Sequence, residues 1–461
     1  MLDLETEGPA LAPPLAWRTA APLTPASFAG SRALQGRMHA AIPGGSHTYA
    51  KGDDQFPADM APYLVRGCGC LVWDVDGNIF IEYGMGLRSV TLGHAYPPIL
   101  KAARRAMSSG TNLGRPTVLE LETAEEFLAF TQAGDMVKFA KNGSDVTTAA
   151  LKLARAYTGR DLVAICADHP FFSSDDWFMG TTGIPAGVPA AVQALTLHFR
   201  YNDLASVEEL FTRHPRQLAA LVLEVERDVP PAPGFLAGLR KLCDAAGTVL
   251  IFDEIITGFR WHHGGAQALY GVRPDLSTFA KALGNGFAIA ALTGRRELME
   301  LGGLHHYHHD RVFLLSTTYG AESHALAVAR EVMRTYTNKP VVAHLHHQGE
   351  RLRDGLQAAA RDQGVAEHFR VLGAPCCLSY GTYDAAGLPS QAFRTLFLQE
   401  TLRRGLLAPS FVISYAHTTA MVDDTVRRVQ EALGVYRQAL DEGIGRYLQS
   451  RPVKPVYRAR N

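Results

Sequence analysis

Four short runs of almost unbroken apolar residues constrain this chain more than anything else in it: VKFA (137–140), LVAIC (162–166), ALVLEV (220–225) and TVLIFD (248–253). A strand with one wet face alternates apolar and polar residues. A run without that alternation has both faces covered, as in a parallel sheet clad by helices. The stretches between the runs carry helix patterns with stop signals, since DVTTAALKLARAYTG and LAGLRKLCDAAG each close on a glycine. From about residue 95 to 320 the chain therefore reads as an α/β fold on a mostly parallel central sheet. Ahead of it, CLVWDVDGNIFIEY reads as a hairpin with Asp-Gly-Asn at the turn. Behind it, HHQGERLRDGLQAAARDQG and DDTVRRVQEALGVYRQAL read as helices mixed with short strands, an α+β terminal lobe. The expected organisation is a mobile arm over 1–28, an N-terminal segment over 29–94 that adds to a small lobe, a large domain over 95–330 and a terminal lobe over 331–461.

Lys+Arg and Asp+Glu balance at 45 each, so no net field favours nucleic acid or an anionic membrane. No apolar stretch nears the ~20 residues that span a bilayer. The start, MLDLETEGPALAPPLAW, is acidic and Pro-rich, unlike a signal peptide, and a cytoplasmic protein is expected. The six cysteines (Cys68, Cys70, Cys166, Cys243, Cys376 and Cys377) form no spaced CxxC set, which points to buried thiols and away from zinc or a disulfide framework. Histidines crowd in GLHHYHHD (His305, His306, His308, His309) and AHLHHQ (His344, His346, His347) without an acidic or Cys partner at ligand spacing, so no metal site is expected.

Two residues carry the chemistry. Asp253 ends the apolar run TVLIFD, and Lys281 stands between apolar residues and a Gly-rich turn in STFAKALGNGF. A carboxylate closing a buried strand and a lysine entering such a turn suit an aldehyde cofactor with a basic ring nitrogen, pyridoxal phosphate: the lysine as Schiff-base partner, the aspartate as holder of the ring proton. Taken singly, each also reads as a cap or a solvated surface charge. In FAKNGSDVTTAALKLARAYTG, Gly143 and Ser144 open a helix after a strand, where free N–H groups and the helix dipole favour an anion. An ordinary capped helix gives the same pattern. Neither GxxxxGK[ST] nor GxGxxG opens a βαβ unit.

In this order, IPGG (42–45), VWDVDGNIFIEY (72–83), LGHAYP (92–97), NGSDVTTAALKLARAYTGRD (142–161), GFLAGLRKLCDAAGTVLIFDEIITGFR (234–260), GGAQALYGVRPDLSTFAKALGNG (264–286) and LLAPSFVISYAHT (406–418) resemble class-III pyridoxal-phosphate aminotransferases, nearest to the glutamate-1-semialdehyde 2,1-aminomutase-like group. The resemblance spans about residues 35 to 430. It implies fold type I of pyridoxal-phosphate enzymes, aspartate aminotransferase-like, in a homodimer with active sites at the subunit interface. It implies that Lys281 forms the internal aldimine and moves protons, that Asp253 partners the pyridine nitrogen, and that Ile255 packs on one ring face. Gly143 and Ser144 match the phosphate pair, with Asn-Gly-Ser where the family shows Ser-Gly-Thr. Thr318 matches the threonine that reaches the phosphate of the other subunit. The ring-stacking aromatic, part of an aromatic-His-Gly triplet in the family, falls in CADHPFFSSDDWF; Phe171 is the expected residue, with Phe172 and His169 behind it.

The substrate walls depart from the aminomutase pattern. The Ser and Arg that take the substrate carboxylate there fall on Thr48 and Lys51, and lysine cannot reproduce a bidentate fork. The substrate-site tryptophan falls on Leu87, and the next position is Arg88, either a binder of substrate carboxylate or phosphate or a structural arginine. APSFVISYAHT is shorter and lacks the family glutamate, and LEVERDVPP brings Glu224, Glu226 and Arg227, of which at least one, with Glu226 foremost, is expected at the site. These changes favour transamination of an aldehyde or ketone, such as a sugar aldehyde, by small-molecule donor and acceptor. The alternatives are a semialdehyde aminomutase, a racemase or epimerase of the same fold, and a non-catalytic binding protein on a decayed scaffold.

Overall fold

The computed structural model describes residues 24, 25, 27–305 and 310–458. Most of the expected arm lies outside these residues, as do His306, His308 and His309. At its described end, Phe28 is buried against Val72, Phe80, Leu402 and Leu407.

The expected hairpin forms. Strands β1 (Leu64–Cys68), β2 (Leu71–Asp74) and β3 (Ile79–Glu82) pair in succession, antiparallel. Asp74 closes the turn between β2 and β3 by accepting from the N–H groups of Asp76 (3.0 Å) and Asn78 (2.8 Å).

The central sheet contains β4 (Met136–Ala140), β5 (Leu162–Cys166), β6 (Thr196–Phe199), β7 (Leu218–Glu224), β8 (Val249–Asp253), β9 (Leu276–Phe279) and β10 (Ala290–Gly294), in the order β4-β10-β9-β8-β7-β5-β6. The four apolar runs are four of these strands, and every residue of β7 and β8 is buried. β5 to β9 are joined by parallel ladders. β10 runs antiparallel to both β9 and β4, so the VKFA strand stands at a sheet edge beside a reversed neighbour and the sheet is mixed. The helix Gly143–Thr158 ends on Gly159 in the left-handed conformation, and Phe235–Ala246 ends likewise on Gly247.

In the last part of the chain, β11 (Phe369–Leu372), β12 (Cys377–Thr382) and β14 (Phe411–Val412) make an antiparallel sheet. β13 (Leu406–Leu407) leaves that lobe and pairs parallel with β3. Tyr83 N–H donates to Leu407 O (2.9 Å), Val412 N–H donates to Tyr83 O (3.0 Å), and Tyr83 Oη bonds Thr425 Oγ1 (2.8 Å). The two ends of the chain thus build one small sheet.

The helix Val341–Asp362 lies close against the loop before β12. A Cβ on Gly349 would fall 1.9 Å from the Pro375 carbonyl oxygen. Gly349→Ala is therefore expected to destabilise the protein by about 1–3 kcal/mol, because backbone on both sides must move. A urea unfolding midpoint equal to that of the unsubstituted protein would show that the contact relaxes freely.

All six cysteines are buried free thiols. No described helix is long and apolar enough to cross a membrane. Among the described residues, no cluster of three His, Cys, Asp or Glu side chains could hold a metal ion.

Candidate active site

Five strands of the central sheet deliver side chains to one cavity of about 350 Å³ beyond their carboxyl ends, where open α/β sheets place their clefts. β7 ends on Glu224 and β8 on Asp253, which are paired in the ladder. Lys281 follows β9, Gly143 and Ser144 follow β4, and Phe171 and Phe172 follow β5; all line the cavity with Ile255.

Asp253 is buried, and its Oδ1 accepts from Ile255 N–H (2.9 Å) and Thr278 Oγ1 (3.4 Å). Its Oδ2 accepts no hydrogen bond from the described residues. Burial and then the nearby Glu224 carboxylate raise its proton affinity well above that of an ordinary aspartate, against the pull of the Ile255 N–H and the Lys281 charge. Lys281 has the opposite shift. Burial lowers it below an ordinary lysine, the charges of Arg88 and Arg227 push the same way, and Asp253 and Glu224 resist. Its φ of 46° is left-handed, a strain that a lysine bears only where the surroundings dictate it.

Helix Gly143–Thr158 starts with Asn142 as its cap, in a reciprocal pair of bonds with Asp145. The first-turn N–H groups of Gly143 and Ser144 have no intrahelical acceptor and stand at the cavity wall. A Cβ on Gly143 would meet Ile255 Cδ1 at 2.7 Å, so a larger residue there would push the Ile255 side chain aside. Ser144 Oγ accepts from Ser174 N–H (2.9 Å).

Phe171 is 45% exposed while Phe172 is fully buried, which leaves the Phe171 ring free to face a ligand. His169 is pinned beneath them, its Nδ1 accepting from Glu224 N–H (3.1 Å); burial lowers its pKa and keeps the ring neutral. Of the three charged residues after β7, Glu224 lines the cavity. Glu226, the residue expected there, is instead buried and bonded by the Tyr270 hydroxyl, and Arg227 Nη1 grips Glu224 at 2.9 and 3.3 Å.

Other expected residues stand apart. Lys51 and Leu87 line a second cavity of about 430 Å³ that also contains Glu82 and His94, and the Thr48 side chain is exposed. Thr318 is exposed in a third hollow beside Thr111–Thr117, outside the Lys281 cavity of its own chain.

Two features had gone unremarked in the sequence. Glu254, next to Asp253, is fully buried and accepts from the N–H groups of Ala266 and Gln267 (2.8 Å each) and from Thr257 Oγ1; burial lifts its pKa to about 7 against those bonds. The second acid of FDEIITGF was the signal. Between the two cavities, Met85 (φ 42°), Gly86 (58°), Leu87 (57°) and Arg88 (71°) form one left-handed turn. Such backbone costs roughly 1–2 kcal/mol per residue bearing a Cβ. Arg88 N–H donates to Gly84 O (3.0 Å), Val90 N–H to Met85 O (3.0 Å) and Ser89 Oγ to Gly86 O (2.7 Å).

The family model described as Aminotransferase class-III matches residues 49–411. A glutamate-1-semialdehyde 2,1-aminomutase of Desulfitobacterium hafniense is 31% identical over 419 residues, which cover 86% of this chain and 96% of that protein. Among solved structures, the FumI protein of Sphingopyxis sp. MTA144, in its PLP internal aldimine form, superposes with a TM-score of 0.82 at 25% identity, over 92% of this chain and 98% of that one. An omega-transaminase of Sphaerobacter thermophilus gives 0.78 at 27% identity, over 89% and 98%.

Proposed function

This chain belongs to the class-III aminotransferase family, and from that premise we propose that it is a pyridoxal-phosphate transaminase of the cytoplasm, moving an amino group to an aldehyde or ketone such as a sugar aldehyde or another biosynthetic oxo intermediate. The observation that carries this reading is the convergence of Asp253, Lys281 and a helix start on one cavity.

The residues fit the cofactor. Gly143 and Ser144 would take its phosphate on free N–H groups. Asp253 would hold the ring nitrogen through Oδ2, which no described residue occupies. Ile255 and Phe171 would flank the ring, and Lys281 would hold the aldehyde carbon. When bound, pyridoxal phosphate supplies an electron sink for the carbon that loses its proton. Lys281 Nζ removes that proton and returns it, and burial keeps the amine in its basic form at lower pH than an ordinary lysine. Burial makes the ionised Asp253 carboxylate costly without a nearby cation, so Asp253 would favour a positively charged ring nitrogen beside it. Phe171 and Phe172 form one wall of the site.

The partner is a second copy of the chain, with Thr318 reaching the other subunit's phosphate. Exposed Leu113, Val118, Phe313 and Tyr319 near that segment support a surface covered by association.

The 31% identity to the aminomutase favours one alternative, an intramolecular transfer. A half-reaction screen separates the two. With a panel of amino donors, the absorbance of the bound cofactor is expected to shift for at least one of them. No shift with any donor would sink the transaminase. Conversion of glutamate-1-semialdehyde to 5-aminolevulinate with no external donor would establish the aminomutase in its place.

A further inference from the structure

Arg260 is a completely buried cation whose guanidinium holds two backbone carbonyls and one hydroxyl: Nη2 donates to Arg88 O (2.7 Å) and Thr91 Oγ1 (3.3 Å), and Nη1 donates to Ile256 O (3.2 Å). It clamps the carbonyl at the end of the left-handed turn Met85–Arg88 to the loop that follows Asp253. Leu87 lines the cavity of about 430 Å³ and Ser89 lines the Lys281 cavity, and Arg88 joins these two residues in the chain. The two arginines whose charge reaches Lys281 differ in one respect. Arg227 is bound by Glu224, whereas the Arg88 guanidinium has no hydrogen bond or ion pair with the described residues. Arg88 is thus a half-buried arginine without a polar partner among the described residues, on left-handed backbone that a glycine would adopt with less strain and whose carbonyl a buried arginine holds.

We propose that the turn Met85–Arg88 is an oxyanion site for the substrate, with the Arg88 guanidinium receiving a carboxylate or phosphate group and Arg260 acting as the positioning residue that holds it beside Lys281. The inference rests on the transaminase reading for the location of the reacting carbon, and it adds that the substrate carries an anionic group. A guanidinium offers two parallel donors to either kind of oxyanion.

Succinate and inorganic phosphate, titrated separately into the protein saturated with pyridoxal phosphate, test this and distinguish the two anions. Binding is read from the cofactor spectrum and, independently, from the melting temperature. Arg88→Gln is expected to weaken the preferred anion about tenfold to a hundredfold, the range of a lost charge-assisted bond. Arg88→Gly is expected to lose the same affinity while melting no lower than the unsubstituted protein, since glycine relieves the left-handed strain. Arg260→Met is expected to raise KM for an anionic donor more than it lowers kcat, with Arg260→Lys recovering part of the loss. Equal anion affinity in the unsubstituted protein, Arg88→Gln and Arg88→Gly overturns the proposal, as does failure of both anions to bind the unsubstituted protein. A chain that reacts with amines yet gives that result remains a transaminase without this site. One that takes no pyridoxal phosphate refutes the transaminase reading, and the melting temperature still reports on Arg88.

Discussion

Lys281→Ala is expected to leave a folded protein whose turnover has fallen by about ten-thousandfold or more, because in the proposed transaminase one amine is both the anchor and the base. The substitution removes no favourable burial of charge. The amine is buried, which disfavours its protonated form, and it stands on backbone with φ 46°. Circular dichroism melting should therefore stay near that of the unsubstituted protein while single-turnover reaction with amines disappears. Retained turnover would move the chemistry to another residue. The same amine sets the pH response. With its proton affinity lowered first by burial and then by Arg88 and Arg227, the free base is present at lower pH than for an ordinary lysine, near 10.4. The rate should rise with pH through that lowered value and then level, and in Arg88→Gln the rise should come at higher pH.

Asp253→Asn is the second large effect, and it should act with opposite sign on stability and on rate. The carboxyl is held above its ordinary proton affinity by burial and by Glu224, its ladder neighbour. A carboxyl raised in this way keeps its proton in the folded state where the unfolded chain has lost it, so folding stability declines as pH climbs from the ordinary aspartate range through the raised value. Asparagine does not titrate. Without cofactor, Asp253→Asn should melt above the unsubstituted protein at neutral pH, and the difference should close as pH drops below about 4. With cofactor the order should reverse, because the amide cannot balance a ring cation, and turnover should drop by about a hundredfold to ten-thousandfold. Identical melting curves at neutral pH would mean that Glu224 and burial place no load on Asp253.

What could be read from the sequence followed the strength of the local signal. β5, β7 and β8 announce themselves because LVAIC, ALVLEV and TVLIFD have no polar interruption. β9 and β10, with LSTF and AALTG, are equally buried, but hydroxylated and small residues interrupt their apolar pattern, which marks no strand by itself. The reversed direction of β10 left no trace at all, since pairing direction depends on the connection and not on composition. Asp253, Lys281 and Gly143, which the fold brings to one cavity, stand at a strand end, a Gly-rich turn and a helix start, each of which is written locally, whereas no such local signal marks Phe171. The sequence does not separate Glu224 from Glu226, because only the fold brings the Tyr270 hydroxyl to Glu226 and Arg227 back onto Glu224. The left-handed turn could not be anticipated, since MGLR has one glycine and four residues with positive φ.

The pairing of β13 with β3 sets an order in time. Ile81 waits for Leu406, more than three hundred residues later, before its edge of the small sheet is covered, and Tyr83 waits for Leu407, Val412 and Thr425. A ribosome delivers the central sheet, with Asp253 and Lys281, long before it delivers the strand that fixes the root of the Met85–Arg88 turn. During synthesis the cofactor-side half of the pocket can therefore take shape first, and the half that would choose a substrate is finished only when the C-terminal lobe arrives.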